Sequence, residues 1–279
     1  MKKKRIFNLF SFVFIILSII SFCLGLFYIN NDSEDNVKSI LIEEASSIIE
    51  FNDSIPNIKG IEKVVEVSLS VVIEEKTKVA KVAPTVLAHI KIPTYNQATT
   101  GYILGCEGVS LFMALKGLGY VDDMTIDEFM STMPIGDTPF DGYMGNPKIG
   151  HTGENTGKRT TIYPEPLSKW ASNYANSKDL TGATIDDLYK ELDDGHVILA
   201  FVTSGWANPV WKVYPWSINE KGEIENNHCL TIVGYRSNGD FLVNDCHDGR
   251  SDGRQGEYWV SASKFASIYN ARHYAISVY

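Results

Sequence analysis

The chain has 279 residues, of which 44% are hydrophobic, enough for one sizeable folded domain with appendages. Its formal net charge is -9, and four cations, Lys2, Lys3, Lys4 and Arg5, sit together at the amino terminus, so the remainder is more acidic still. Such a surface excludes nucleic acid as the expected partner, and it would be repelled by anionic lipid headgroups.

After the four cations, residues 6–29 are almost wholly apolar, broken only by Asn8 and a few serines. A stretch of that length crosses a bilayer core as a helix. No clear small-x-small cleavage site follows it, so an uncleaved signal anchor is expected; cleavage would instead give a secreted protein. The cations hold the amino terminus in the cytoplasm, which places the rest outside a single-pass cell-membrane anchor. The membrane contact is then the N-terminal helix itself. Residues 1–29 read as basic tip and anchor, 30–85 as a stalk or accessory segment, and 86–279 as the main domain. The stalk has one helical stripe (Ile40, Leu41, Ala45, Ile48, Ile49) and no catalytic spacing.

The main domain opens on an apolar run from Val86 to Pro93, read as a strand. Gln97 follows, and then Gly105-Cys106-Glu107-Gly108 leads into Val109, Phe112, Met113 and Leu115 at helical spacing, with an end near Gly117–Gly119. A cysteine at the start of a helix faces unpaired N–H groups and the positive end of the peptide dipoles. Both favour thiolate over thiol, so a nucleophilic Cys106 is expected, with a merely buried cysteine as the alternative. Residues 124–130 read as a short helix with Thr125 as its cap. The Gly-, Pro- and Asn-rich run 134–166 lacks apolar periodicity and reads as a long functional or inserted loop. Helices are expected over 166–174 and 184–192, the second with Ile185, Leu188 and Leu192 on one stripe. Residues 197–202 form an apolar run read as a buried strand. Trp206, Trp211 and Trp216 are expected mainly to complete the core. His89, His196 and His273 read as surface or structural residues.

Residues 228–235 read as a strand, Asn238-Gly239 as a hairpin turn, and 241–245 as the returning strand. The hairpin brings its far end back to His228, and one of Asn244 and Asp245 faces the imidazole, since neighbours on a strand point to opposite sides. A catalytic imidazole needs such an acceptor to fix its tautomer. His228-Cys229 and Cys246-His247 also carry zinc-type ligands, but neighbours on a strand diverge and no Cys-x-x-Cys spacing is present. Neither a metal nor a cofactor is expected. Outside the apolar start, Cys106, Cys229 and Cys246 form an odd set, and a Cys229–Cys246 disulfide is left open. A short helix is expected after Trp259, and the chain closes on a strand from Arg272 to Val278.

The order Gln97, Cys106, His228, Asp245 resembles a papain-like cysteine peptidase, and more narrowly the bacteriocin-processing (double-glycine leader) peptidase family and its stand-alone relatives. The carriers are Ile92-Pro93-x-Tyr95-x-Gln97, Gly105-Cys106-Glu107-x-x-Ser110-Leu111-x-Met113-Ala114-Leu115, Gly142-Tyr143-x-Gly145-Asn146-Pro147, Ile162-Tyr163-Pro164, and His228-x-x-Thr231-Ile232-Val233-Gly234-Tyr235 with Asn244-Asp245. The resemblance implies an α+β papain-like fold, an N-terminal helical part bearing the cysteine and a C-terminal antiparallel sheet bearing His and Asp. It implies Cys106 as nucleophile, His228 as base, Asp245 as the group orienting His228, and Gln97 with the Cys106 N–H as oxyanion hole. A peptide or protein substrate is then expected. The alternatives are a cell-wall amidase or acyl transferase on the same triad, or an inactive papain-like binding domain. Gln97 stands further upstream of the cysteine than in most of the family, and Cys246 stands where relatives often have proline.

Overall fold

A computed structural model of the chain describes residues 83–247 and 256–279. The expected anchor, and the expected stalk as far as residue 82, lie outside the described residues. Among the described residues no helix is long and apolar enough to cross a membrane.

In chain order the elements are strand β1 (Val86–His89), helices α1 (Cys106–Gly117) and α2 (Ile126–Ser131), a 3-10 turn (Gly153–Asn155), helix α3 (Pro164–Ala171), strand β2 (Ser177–Asp179), helix α4 (Ile185–Asp193) and strand β3 (Val197–Thr203). There follow a second 3-10 turn (Ser204–Trp206), strands β4 (Trp211–Lys212), β5 (Glu223–Ile224), β6 (Asn227–Arg236), β7 (Phe241–Asp245) and β8 (Gly256–Val260), helix α5 (Ala262–Tyr269) and strand β9 (Ala275–Val278). The main sheet runs β2-β9-β3-β6-β7-β8 and is antiparallel throughout. β3 pairs β6 from Asn227 to Ile232, and β1 pairs the remaining end of β6, from Gly234 to Arg236. β4 and β5 make a separate two-stranded ribbon. The result is a mixed α/β unit built on an antiparallel sheet.

Strand periodicity sorts the core into two layers. Val197, Leu199 and Phe201 of β3 pack with α1, α2 and α3, whereas Ile198, Ala200 and Val202 pack with α4 and α5. A strand covered on both faces needs no polar alternation, which is why β3 reads as an unbroken apolar run. α1 lies against β6, and nearly all of its side chains are buried, so it shows little amphipathic stripe. α2 and α4 each start at a complete capping box: the Thr125 hydroxyl accepts from the Glu128 N–H while Glu128 reaches back, and Thr184 does the same with Asp187.

Some expectations shift. β8 was not expected as a strand, and the short β2, β4 and β5 carry too few residues to show a period. α3 starts at Pro164, two residues earlier than expected, because a proline at the first helical position gives up no needed N–H. The loop from 134 to 163 is tied down by bridges pairing Ile135 with Tyr143 and Met144 with Thr161. Of the tryptophans, Trp206 is buried in the α4–α5 layer and Trp216 packs against the other, but Trp211 is only half-buried under the Lys221 ammonium.

Candidate active site

Helix α1 starts at Cys106, and its first turn meets the chain where β6 begins and β7 ends. The Ser110 hydroxyl donates to the Cys229 carbonyl at 3.1 Å and lies 3.5 Å from the Cys246 sulfur. The Cys246 thiol lies 3.6 Å from the Cys106 carbonyl and 3.7 Å from that of Cys229. The Cys229 backbone N–H faces the Cys106 sulfur. Cys106 therefore meets β6 at the peptide that joins His228 to Cys229. The three described cysteines, Cys106, Cys229 and Cys246, are free thiols, so no disulfide joins Cys229 to Cys246.

The hairpin supplies the imidazole and its acceptor. His228 Nε2 and Asp245 Oδ1 are 2.7 Å apart, with both side chains buried. Of the two residues that ended the hairpin strand as candidates, Asp245 makes this contact. Asn244 points the other way, accepting from the Thr94 hydroxyl at 2.8 Å and donating to the Ile92 carbonyl at 3.3 Å. Asp245 also accepts the His247 N–H at 2.9 Å and the Tyr258 hydroxyl at 2.6 Å, and Trp206 Nε1 donates to that hydroxyl at 3.0 Å. Burial alone would push the Asp245 carboxyl up, but the His228 charge and these donors bring it below its ordinary value. Neither Tyr258 nor Trp206 is expected at the site from the sequence. Tyr258 sits on a strand whose alternation is too short to read, and Trp206 reads there as core.

Gln97 folds back toward the same place. The Asn96 carboxamide oxygen accepts the Ala98 and Thr99 N–H groups, and successive turns bring Tyr102 N–H onto the Gln97 carbonyl at 2.9 Å. This winding takes up the extra residues between Gln97 and Cys106. Gln97 N–H donates to the Cys246 carbonyl at 2.9 Å, its Oε1 lies 3.4 Å from the Cys246 sulfur, and its Nε2 donates to the Ile103 carbonyl at 2.9 Å. One N–H of the amide is thus committed to the protein itself.

Two influences at the thiol oppose that of the helix start. Burial pushes Cys106 well above the ordinary thiol value, and the Glu107 carboxylate beside it adds to the rise. The sulfur lies 3.3 Å from Glu107 Oε2. Desolvation and a neighbouring negative charge outweigh the end of the helix. Glu107 is a site residue that sequence reading placed only within a resemblance; its burial, total here, is not visible from a Gly-Cys-Glu-Gly run.

His228, Asp245 and Cys246 also bring donor atoms within 4.8 Å of one another. The set suits zinc chemically. Each donor is already engaged within the protein, however: His228 and Asp245 with each other, and Cys246 at Gln97.

The chain matches the model of the Peptidase_C39 like family over residues 89–277, a span that takes in Gln97, Cys106, His228 and Asp245. It belongs to that family. This C39-like chain is 32% identical over 149 residues to YvpB, an uncharacterized protein of Bacillus subtilis (strain 168). That match takes in 50% of the C39-like chain and 58% of YvpB, so the chain spans little more than half of this relative's length. A crystal structure described as that of a C39-like peptidase from Bacillus anthracis is similar with a TM-score of 0.55 and 21% identity, covering 71% of this chain and 98% of that one. At that identity the likeness speaks for the fold.

Proposed function

We propose that this C39-like chain is a thiol hydrolase that cleaves peptide bonds, acting outside the cell from an N-terminal membrane anchor. The observation that carries the reading is the buried His228–Asp245 pair, 2.7 Å apart, adjoining the peptide that the Cys106 sulfur faces. With Nε2 held by Asp245, Nδ1 is the ring nitrogen that would take the thiol proton. The thiolate would then attack the substrate carbonyl carbon, forming the S–C bond and an oxyanion. Collapse breaks the C–N bond as the imidazolium returns its proton to the leaving amine, and water releases the acyl group from sulfur. The Cys106 N–H and the second Gln97 amide N–H are the donors proposed for the oxyanion, each contributing about 3 kcal/mol to the barrier. The resemblance to leader peptidases suggests a peptide substrate and no particular leader.

The test is turnover of peptide and protein mixtures by the full-length chain beside its Cys106→Ala variant. Loss of hydrolysis with an unchanged circular dichroism spectrum is expected; full activity in the variant would end the assignment. Peptidoglycan fragments in the same assay separate a cell-wall amidase or acyl transferase from a peptidase. An inactive binding domain has one observation in its favour, the buried thiol held by Glu107. Absence of acyl-enzyme mass with any of these substrates would favour that reading.

A further inference from the structure

Glu107 follows the proposed nucleophile and is fully buried. Its two oxygens are claimed from three directions. The Cys106 S–H donates to Oε2 at 3.3 Å. The Thr161 hydroxyl, from the loop before α3, donates to Oε1, and so does Asn227 Nδ2, from the start of β6, at 3.4 Å. Asn227 is itself held, its side-chain oxygen accepting from the buried Arg272 guanidinium. Turning the carboxylate away from Cys106 would strand the fully buried Thr161 hydroxyl, which is costly, whereas the half-buried Asn227 Nδ2 keeps the Thr161 oxygen as a second acceptor at 3.2 Å.

The charges around it do not cancel this arrangement. Among the described residues Glu107 forms no ion pair with a Lys, Arg or His. Arg159 faces it at longer range, and two of the Arg159 nitrogens are spent on the Glu225 and Ile224 carbonyls. The other titratable groups nearby are Tyr143 in the loop after α2, His228 and Cys229 on β6, Asp245 on β7 and Cys246 beyond it. Burial raises the Glu107 carboxyl above its ordinary value, against the hydrogen bonds from Thr161 and Cys106 and the Arg159 charge; in its ionised form it accepts from a thiol and repels a thiolate.

We propose that Glu107 is a positioning residue that keeps Cys106 as a protonated, hydrogen-bonded thiol in the substrate-free protein, so that the site rests switched off. The inference deepens the nucleophile reading and rests on it for its catalytic consequence: the sulfur must leave Glu107 and give its proton to His228 before attack. Iodoacetamide alkylation of the full-length protein, followed against pH at the Cys106-bearing peptide by mass spectrometry, tests it without any turnover. Glu107→Gln keeps an oxygen acceptor for Thr161 and Asn227 and removes the negative charge beside the sulfur. Its alkylation midpoint should fall by about one pH unit or more, a roughly tenfold faster reaction at neutral pH. An unchanged or higher midpoint overturns the proposal. If Glu107→Gln does not fold, Thr161→Val decides: with one donor withdrawn the carboxyl holds its proton to higher pH, and the thiol midpoint should again fall, whereas no movement rejects the idea. Hydrolysis surviving in Cys106→Ala would defeat the proposed function yet leave this shift intact, so the two failures are distinguishable.

Discussion

His228 and Asp245 meet because of strand register. Thr231 pairs with Asn244 across β6 and β7, so Asp245 stands diagonal to His228 on one face of the hairpin while Asn244 takes the other. The 2.7 Å contact from Nε2 to Oδ1 follows. Asp245→Asn keeps the shape but offers the ring an amide in place of a charge. Peptide hydrolysis should fall in kcat/KM by about 10²-fold or more, the range expected when a general base loses its orientation. Steady-state kinetics on folded variant protein check this, and a loss under about threefold would remove Asp245 from the mechanism.

The same pair fixes the acid limb of stability. The Asp245 carboxyl lies below its ordinary value in the folded protein, through His228, Tyr258 and the His247 N–H acting against burial. A depressed carboxyl contributes stability in full above its unfolded value, about 3.9, and loses it as pH falls through the folded value. The gap in urea midpoint between the native protein and Asp245→Asn should therefore be widest above about pH 4 and should narrow as pH falls below it, toward the folded value. A gap that stays constant to pH 3 would mean that packing, and not charge, is what the substitution removes.

Much of this architecture was legible because periodicity is local. The cysteine helix, the Thr125 and Thr184 starts, β3 and the β6–β7 hairpin all carry their own patterns, and the hairpin turn is marked by Gly239 at φ +82°. The meeting of Cys106 with the hairpin follows from chain order only through the family resemblance. What stayed illegible depends on contacts between distant segments. Glu107 looks like an ordinary helix-start acid until Thr161 and Asn227 are seen to close over it. Tyr258 supports Asp245 from a strand of five residues, too short for its alternation to announce it. Of the two readings of Cys106, the helix end that favours a thiolate is visible in sequence, whereas the desolvation that raises the thiol is not.

Gly234 belongs to the motif that carries the resemblance, and the structure gives its reason. A side-chain carbon there would come within 2.1 Å of the Ala88 carbonyl oxygen on β1. Pairing between β6 and β7 also shifts between Ile232 and Gly234, so β1 closes on the bulged part of β6. Gly234→Ala must push β1 away or break its pairing, and should cost about 2–3 kcal/mol in urea unfolding. Amide exchange should localise the loss to β1 and leave β3 protected. Unaltered stability would mean that β1 can shift at no cost and does not buttress the hairpin.

Cys246 holds Gln97 at two points: its carbonyl takes the Gln97 N–H at 2.9 Å, and its sulfur lies 3.4 Å from Gln97 Oε1. With Nε2 also on the Ile103 carbonyl, the amide is oriented from both ends. Gln97→Ala should lower kcat by about 10²-fold with little change in KM, since an oxyanion donor acts only on the transition state. Cys246→Ala keeps the carbonyl contact and loses the thiol, so it should produce a smaller fall, about three- to tenfold, in kcat alone. Cys246→Ser, which restores a donor, should recover part of that loss. If Cys246→Ala and Cys246→Ser behave alike, or if the change falls on KM, the thiol is packing and does not steer the amide.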